Sequence, residues 1–191
     1  DINRCADDLD FYLKSMNPLI QANKLWGFLI QLPPSFTKDQ HFNNLKAFIE
    51  NWPQDYPNER YHLVVEFRDK SWMDEEVFSY LRKSSLTYCG VVEPLLPPRM
   101  DVTNSEFAYI RFHGYGTKIW FDYFFEKEEI QKWSLPVKEV ISEAKNVGIY
   151  FNNHFSGYAA KDALMMMKEL SYKPRTEPKE VSLFEVKKES G

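Results

Sequence analysis

Five short apolar runs govern what this chain can fold into: Leu25–Leu32 (LWGFLIQL), Leu63–Phe67 (LVVEF), Leu86–Val92 (LTYCGVV), Phe107–Phe112 (FAYIRF) and Val147–Phe151 (VGIYF). Their apolar residues are nearly continuous rather than alternating, as expected of strands covered on both faces in a parallel sheet. Helical stretches separate the runs. Leu9, Leu13, Met16 and Ile20 recur at spacings of three and four before the first run. Phe42, Leu45, Phe48, Ile49 and Trp52 do so after it, and Val77, Tyr80 and Leu81 after the second. Residues 126–146 and 159–170 carry two more helical patterns around the fifth run. Strand–helix alternation of this kind predicts an α/β fold with helices against a parallel sheet.

Local signals sharpen the boundaries. Thr37 with Gln40 predicts a capping box, and Ser71 with Asp74 a second helix cap. Pro33–Pro34 ends the first strand, and Pro136 predicts a break or kink inside residues 126–146. From Ser171 onward Lys, Glu and Pro dominate, so 1–170 reads as the body of a single domain and 171–191 as a charged tail. Within that tail VSLFEV (181–186) is the apolar stretch, suited to packing back on the body or to docking on a partner.

Composition excludes several classes. The net charge is −4, from 24 Lys and Arg against 28 Asp and Glu, with no clustered basic face. A nucleic-acid partner held by bulk electrostatics is therefore disfavoured. Two cysteines, Cys5 and Cys89, are too few for a disulfide framework, and Cys89 is expected as a small core residue in a strand. No apolar run approaches the ~20 residues of a membrane span, and the first residues lack a signal-peptide pattern. The expected compartment is the cytoplasm, with no membrane partner. Walker, dinucleotide-binding and nucleophile-elbow motifs are missing, so no cofactor is expected.

In parallel α/β folds ligands bind beyond the carboxyl ends of the strands. Here all five ends are polar: Gln31; Glu66 and Arg68, followed by Trp72; Glu93; Arg111 and His113, followed by Gly114; Asn152 and Asn153. Glu66 and Arg111 also suit a structural ion pair, but five such ends together point to a polar pocket. Strand alternation puts Glu66 with Arg68, and Arg111 with His113, on one side. Arg68 and Arg111 are candidates to clamp a carboxylate or phosphate. Glu66, Glu93 and His113 are the candidate acid–base groups, Asn152 and Asn153 would orient hydroxyls or an oxyanion. Trp72, Tyr115 and Tyr123 would stack on a ring or anchor loops. Of four histidines only His113 and His154 fall at strand ends, so no metal site is expected.

The ordered motifs FLIQLPPSF, VVEFRDKSW, FAYIRFHG, a Tyr-rich segment before EEIQKW, and IYFNNHFSGYAAKDAL resemble the YecE-like family, domain of unknown function family 72, from about Ile2 to Leu170. The resemblance implies a parallel (β/α) TIM barrel. Such barrels take roughly 250 residues, so five strands would be strands four to eight, with three further units expected upstream. Open sheet edges then imply an upstream fragment of the same protein as partner, or self-association. The resemblance also implies a strand-end pocket using Gln31, Glu66, Arg68, Trp72, Arg111, His113, Asn152 and Asn153. Glu93 stands where the family often shows Asp, and Asp162 where its closing motif often has Asn. The function expected is that of an enzyme on a small polar anion such as a sugar phosphate. The alternatives are a non-catalytic ligand- or partner-binding module and a nucleic-acid-processing barrel.

Overall fold

The computed structural model describes residues 2–174. Helices α1 (Ile2–Ser15) and α2 (Asn17–Gln21) lead into strand β1 (Gly27–Gln31), then helix α3 (Lys38–Glu50) and strand β2 (His62–Glu66). A 3-10 turn at Lys70–Trp72 precedes α4 (Glu75–Lys83) and β3 (Thr87–Val92). Strand β4 (Ala108–Phe112), helix α5 (Lys127–Glu143), strand β5 (Val147–Phe151) and helix α6 (Tyr158–Glu169) complete the order. The strands pair in sequence order, every pair parallel. No described helix is long and apolar enough to cross a membrane.

The sheet curls into half of a barrel. Neighbouring strands lie ~4.8 Å apart, so β1 and β4 would be roughly 14 Å apart in a flat sheet. Instead Arg111 on β4 reaches Gln31 on β1, and the His62 ring of β2 stacks on Phe107 at 4.7 Å between centroids. Odd and even strand positions divide accordingly. Phe28, Leu63, Val65, Phe67 and Tyr88 face outward and meet the helical residues Phe42, Leu45, Val77, Phe78 and Leu81 in the main core. Leu29, Val64, Cys89, Val91, Phe107 and Tyr109 face the concave side. On the concave side the last apolar residue is followed two positions later by a polar one: Leu29 by Gln31, Val64 by Glu66, Val91 by Glu93 and Tyr109 by Arg111.

One connection departs from the expected alternation. No helix lies between β3 and β4; Pro94, Pro97 and Pro98 interrupt that stretch. The segment instead folds back over β3. Thr103 Oγ1 accepts from Tyr88 N at 2.7 Å and donates to Leu86 O at 2.7 Å, and Arg99 lies over the Phe78 ring at 3.9 Å. Gly90 makes room for it, since a Cβ there would sit 3.2 Å from Arg99 O.

The helix signals were partly misassigned. Thr37 is the N-cap of α3, but its side chain makes no capping bond, so the Thr37–Gln40 box does not form. Lys38 N donates to Ser71 Oγ at 2.9 Å instead, which ties α3 to the 3-10 turn. Ser71 therefore does not cap α4; Asp74 does, accepting from Glu76 N, while Asp69 accepts from Ser71 N. A capping box forms at α5 through Glu126 and Glu129. Pro136 does not break α5, which is continuous through it. The carbonyl that loses its donor belongs to Lys132, which is exposed and so open to solvent. The VSLFEV stretch lies outside the described residues.

Candidate functional site

The polar strand ends meet at the mouth of the half-barrel. Glu66, the last residue of β2, points to the concave side with no exposed surface. Arg68, two residues on, keeps the same side and spans two carboxylates. Its Nη2 lies 2.5 Å from Glu66 Oε1 and its Nη1 2.5 Å from Glu93 Oε2. Arg111 Nη1 pairs with Glu66 Oε2 and donates to Gln31 Oε1 at 3.0 Å, while its Nε donates to Asn152 Oδ1 at 3.0 Å. His113 Nε2 stands 3.1 Å from Arg68 Nη2 and 3.4 Å from Glu66 Oε1. Residues from all five strand ends thus form one network around Glu66.

Opposed charges in this network push its two acids apart. Burial raises the Glu66 carboxyl, but the His113 hydrogen bond and the Arg68 and Arg111 charges outweigh it and hold it below the usual glutamate range. At Glu93 burial dominates and leaves the carboxyl above that range, against the pull of Arg68 and His113, with the Glu66 charge adding to the rise. The two carboxyls on one guanidinium are therefore shifted in opposite directions, the pattern by which sites separate acid from base. Whenever Glu93 holds a proton, two arginines against the single Glu66 charge leave the cluster net positive. His113 has two arrangements here: a neutral ring accepts from Arg68, and a protonated ring donates to Glu66. Beneath them Cys89 Sγ lies 3.9 Å from Glu66 Oε2, and burial followed by the Glu66 charge holds the thiol well above its normal value. Cys89 is the buried strand residue its sequence context suggested.

Beside the network lies a cavity of about 270 Å³ lined by Gln31, Pro34, Arg68, Glu93, His113, Trp120 and Phe121. Its aromatic wall depends on Gly114. That residue has φ +98, and a Cβ would stand 2.7 Å from both Trp120 O and Tyr123 Cβ, so only glycine lets the loop after β4 fold back over the strand end. Phe121 is further braced by stacking on His154 at 4.8 Å. Trp120 and Phe121 were not among the sequence candidates. The aromatic run IWFDYFF behind a glycine was the available signal, but nothing local says which of its rings turns inward.

Four sequence candidates lie elsewhere, Tyr115 among them, packed edge-on against Tyr123 and Phe125. Trp72 is wholly buried, its ring stacked on Phe67 at 4.7 Å and its Nε1 donating to Phe36 O. It anchors the β2–α4 turn and presents no face to a ligand. Tyr123 donates to Glu129 Oε1 at 2.6 Å and packs on Phe125, so its hydroxyl is turned toward α5. Asn153 is also fully buried; its amide donates to Tyr123 O and to Asp162 Oδ2, joining the β5 end to α6 and to the aromatic loop. The same Asp162 oxygen accepts from Phe125 N at 3.3 Å. Burial raises the Asp162 carboxyl despite its bonds from Asn153 and Phe125. Glu66, Arg111 and Asn152 belong to the network behind the cavity, and Gln31, Arg68, Glu93 and His113 to its wall. Among the described residues no three His, Cys, Asp or Glu side chains converge to hold a metal ion.

Comparison with known proteins agrees with this architecture. The family described as protein of unknown function DUF72 matches residues 1–182. UPF0759 protein YunF of Bacillus subtilis (strain 168) is 23% identical over 198 residues, which cover 92% of this chain and 68% of that protein. A crystal structure of a DUF72 family protein from Thermotoga maritima MSB8 superposes with a TM-score of 0.76 at 32% identity, covering 87% of this chain and 66% of that one. One from Enterococcus faecalis V583 gives 0.76 at 28%, covering 89% and 68%. The chain belongs to the DUF72 family.

Proposed function

We propose that this DUF72 chain binds a small polar anion, of sugar-phosphate or carboxylate type, in the 270 Å³ cavity and moves a proton on it. One observation carries the reading. Arg68 is shared by an ionised Glu66 and a Glu93 whose carboxyl is raised by burial, and it sits beside His113 at the wall of a cavity. Arg68 supplies the charge complementary to the anion, held in place by Glu66. Glu93 and His113 line the cavity and are the acid–base pair. Glu66, with no exposed surface, is a positioning residue rather than a proton carrier. Trp120 and Phe121 offer flat faces to the apolar side of a ring, and Gln31 and Asn152 fix Arg111 behind it.

Thermal denaturation in the presence of inorganic phosphate, sulfate and glucose 6-phosphate tests the proposal. A ligand at 100 times its Kd stabilises by about 2.7 kcal/mol, which raises Tm measurably. Glu93→Gln should keep binding, since it mimics the protonated acid, but abolish turnover of any substrate that the screen identifies. No Tm change with any of these anions at millimolar concentration would overturn it.

A further inference from the structure

The outer side of β5 carries an apolar groove of about 490 Å³ between α5 and α6. Val147, Ile149 and Phe151 of the strand form its floor, and Ala163, Met167 and Leu170 of α6 one wall. The central strands β2 and β3 are better covered, while the other edge strand, β1, buries only Phe28. All six residues of β3 and four of five in β2 are buried, whereas β5 has none buried. An outward strand face in a parallel α/β fold is normally covered, so the groove calls for an occupant.

We infer that the occupant is the chain's own tail, with Leu183 and Phe184 of VSLFEV seated in the groove. The route is short. Tyr172 and Lys173, where the described chain ends its course, already form part of the groove lining. From Pro174 to Val181 an extended chain covers roughly 23 Å, more than the ~17 Å length of a five-residue strand. The stretch is the tail's apolar segment, Glu180 and Glu185 flank its residues 181–184, and Lys145 and Lys173 stand at the groove. Lys145 pairs with Glu106 at 3.1 Å, which leaves Lys173 as the rim cation for those carboxylates, and the apolar side chains between them face an apolar floor. The family match runs on to residue 182, past Pro174, so the domain pattern itself includes the approach to this segment. The inference is independent of the strand-end site, which lies on the concave side.

Amide hydrogen exchange on the full 191-residue chain tests it, at two protein concentrations, against the double variant Leu183→Asp/Phe184→Asp. In the unmodified chain the amides of 181–186 should exchange about tenfold more slowly than those of an unstructured peptide, equally at both concentrations. The double variant should return them to the unstructured rate and accelerate exchange in β5 and the last turn of α6. Charge reversal, Glu180→Lys/Glu185→Lys, should give an intermediate loss. Unprotected tail amides overturn the inference. So does protection that grows with concentration, which would put a second copy in the groove, or protection that survives the aspartates.

Discussion

Replacing Arg68 by Met tests the network at the group on which it depends. The guanidinium is the cation shared by Glu66 and Glu93, which are 0% and 3% exposed. Removing one partner of a buried ion pair costs about 3–5 kcal/mol, because a charge is left without compensation. A second route to the magnitude is to let Glu93 take up a proton instead. Protonating a glutamate of ordinary pKa, about 4.3, at pH 7 costs roughly 3.7 kcal/mol at 1.36 kcal/mol per unit, and roughly 1 kcal/mol at pH 5. Glu66 keeps Arg111, so the loss should stand near the lower end, about 3–4 kcal/mol at pH 7. Its sign with pH follows from the carboxyls. Glu66 is lowered in the folded protein, so its stabilising contribution exists above its unfolded pKa and fades as the pH falls. Glu93 is raised, so its contribution is present at low pH and fades as the pH rises through its folded pKa. Without Arg68 both carboxyls bind protons more tightly when folded. The variant's deficit must therefore shrink on acidification, to about 1 kcal/mol at pH 5. Urea denaturation of both proteins at the two pH values reads this directly, and Glu93→Gln placed on top of Arg68→Met should recover part of the loss at pH 7. A deficit below ~1 kcal/mol at pH 7, or one equal at both pH values, would refute the reasoning.

Trp72→Ala should cost about 3–5 kcal/mol, roughly 10 °C in Tm, because it empties a fully buried aromatic site between Phe67 and Phe36. Cys89 should resist a thiol reagent in the native protein and react after denaturant is added, as its burial and raised pKa require. Strands β1 and β5 each have one unpaired edge among the described residues. Native light scattering should accordingly find the 22.7 kDa chain associated with a second copy through those edges. A stable monomer at high concentration would contradict that expectation.

How much of this was legible beforehand differs by level. All five strands were readable, since each is an apolar run of strand length, and alternation put Glu66 with Arg68, and Arg111 with His113, on one side, which is the concave one. The absence of a helix between β3 and β4 was also written in Pro94, Pro97 and Pro98, but the period of the other units obscured it. Trp72, Tyr123 and Asn153 lie off the cavity for a shared reason. Sequence position says that a residue follows a strand end, not whether its side chain turns to the cavity or to the helices. Asn153 is turned away by Asp162, nine residues later, and Trp72 is drawn down by Phe36, thirty-six residues earlier. Trp120 and Phe121 reach the cavity through the backbone reversal at Gly114, which fixes where the loop goes without advertising which rings it delivers.

The central claim is that the cavity takes an anion when Glu93 holds a proton, and sulfate affinity as a function of pH tests it most directly, because the charge of sulfate is constant across the range. Calorimetric titration should show affinity falling as the pH rises through the folded pKa of Glu93, which lies above the ordinary glutamate value. Glu93→Gln should bind sulfate with that part of the pH dependence removed. Affinity that does not change with pH in the unmodified chain, or an identical decline in Glu93→Gln, would contradict the account.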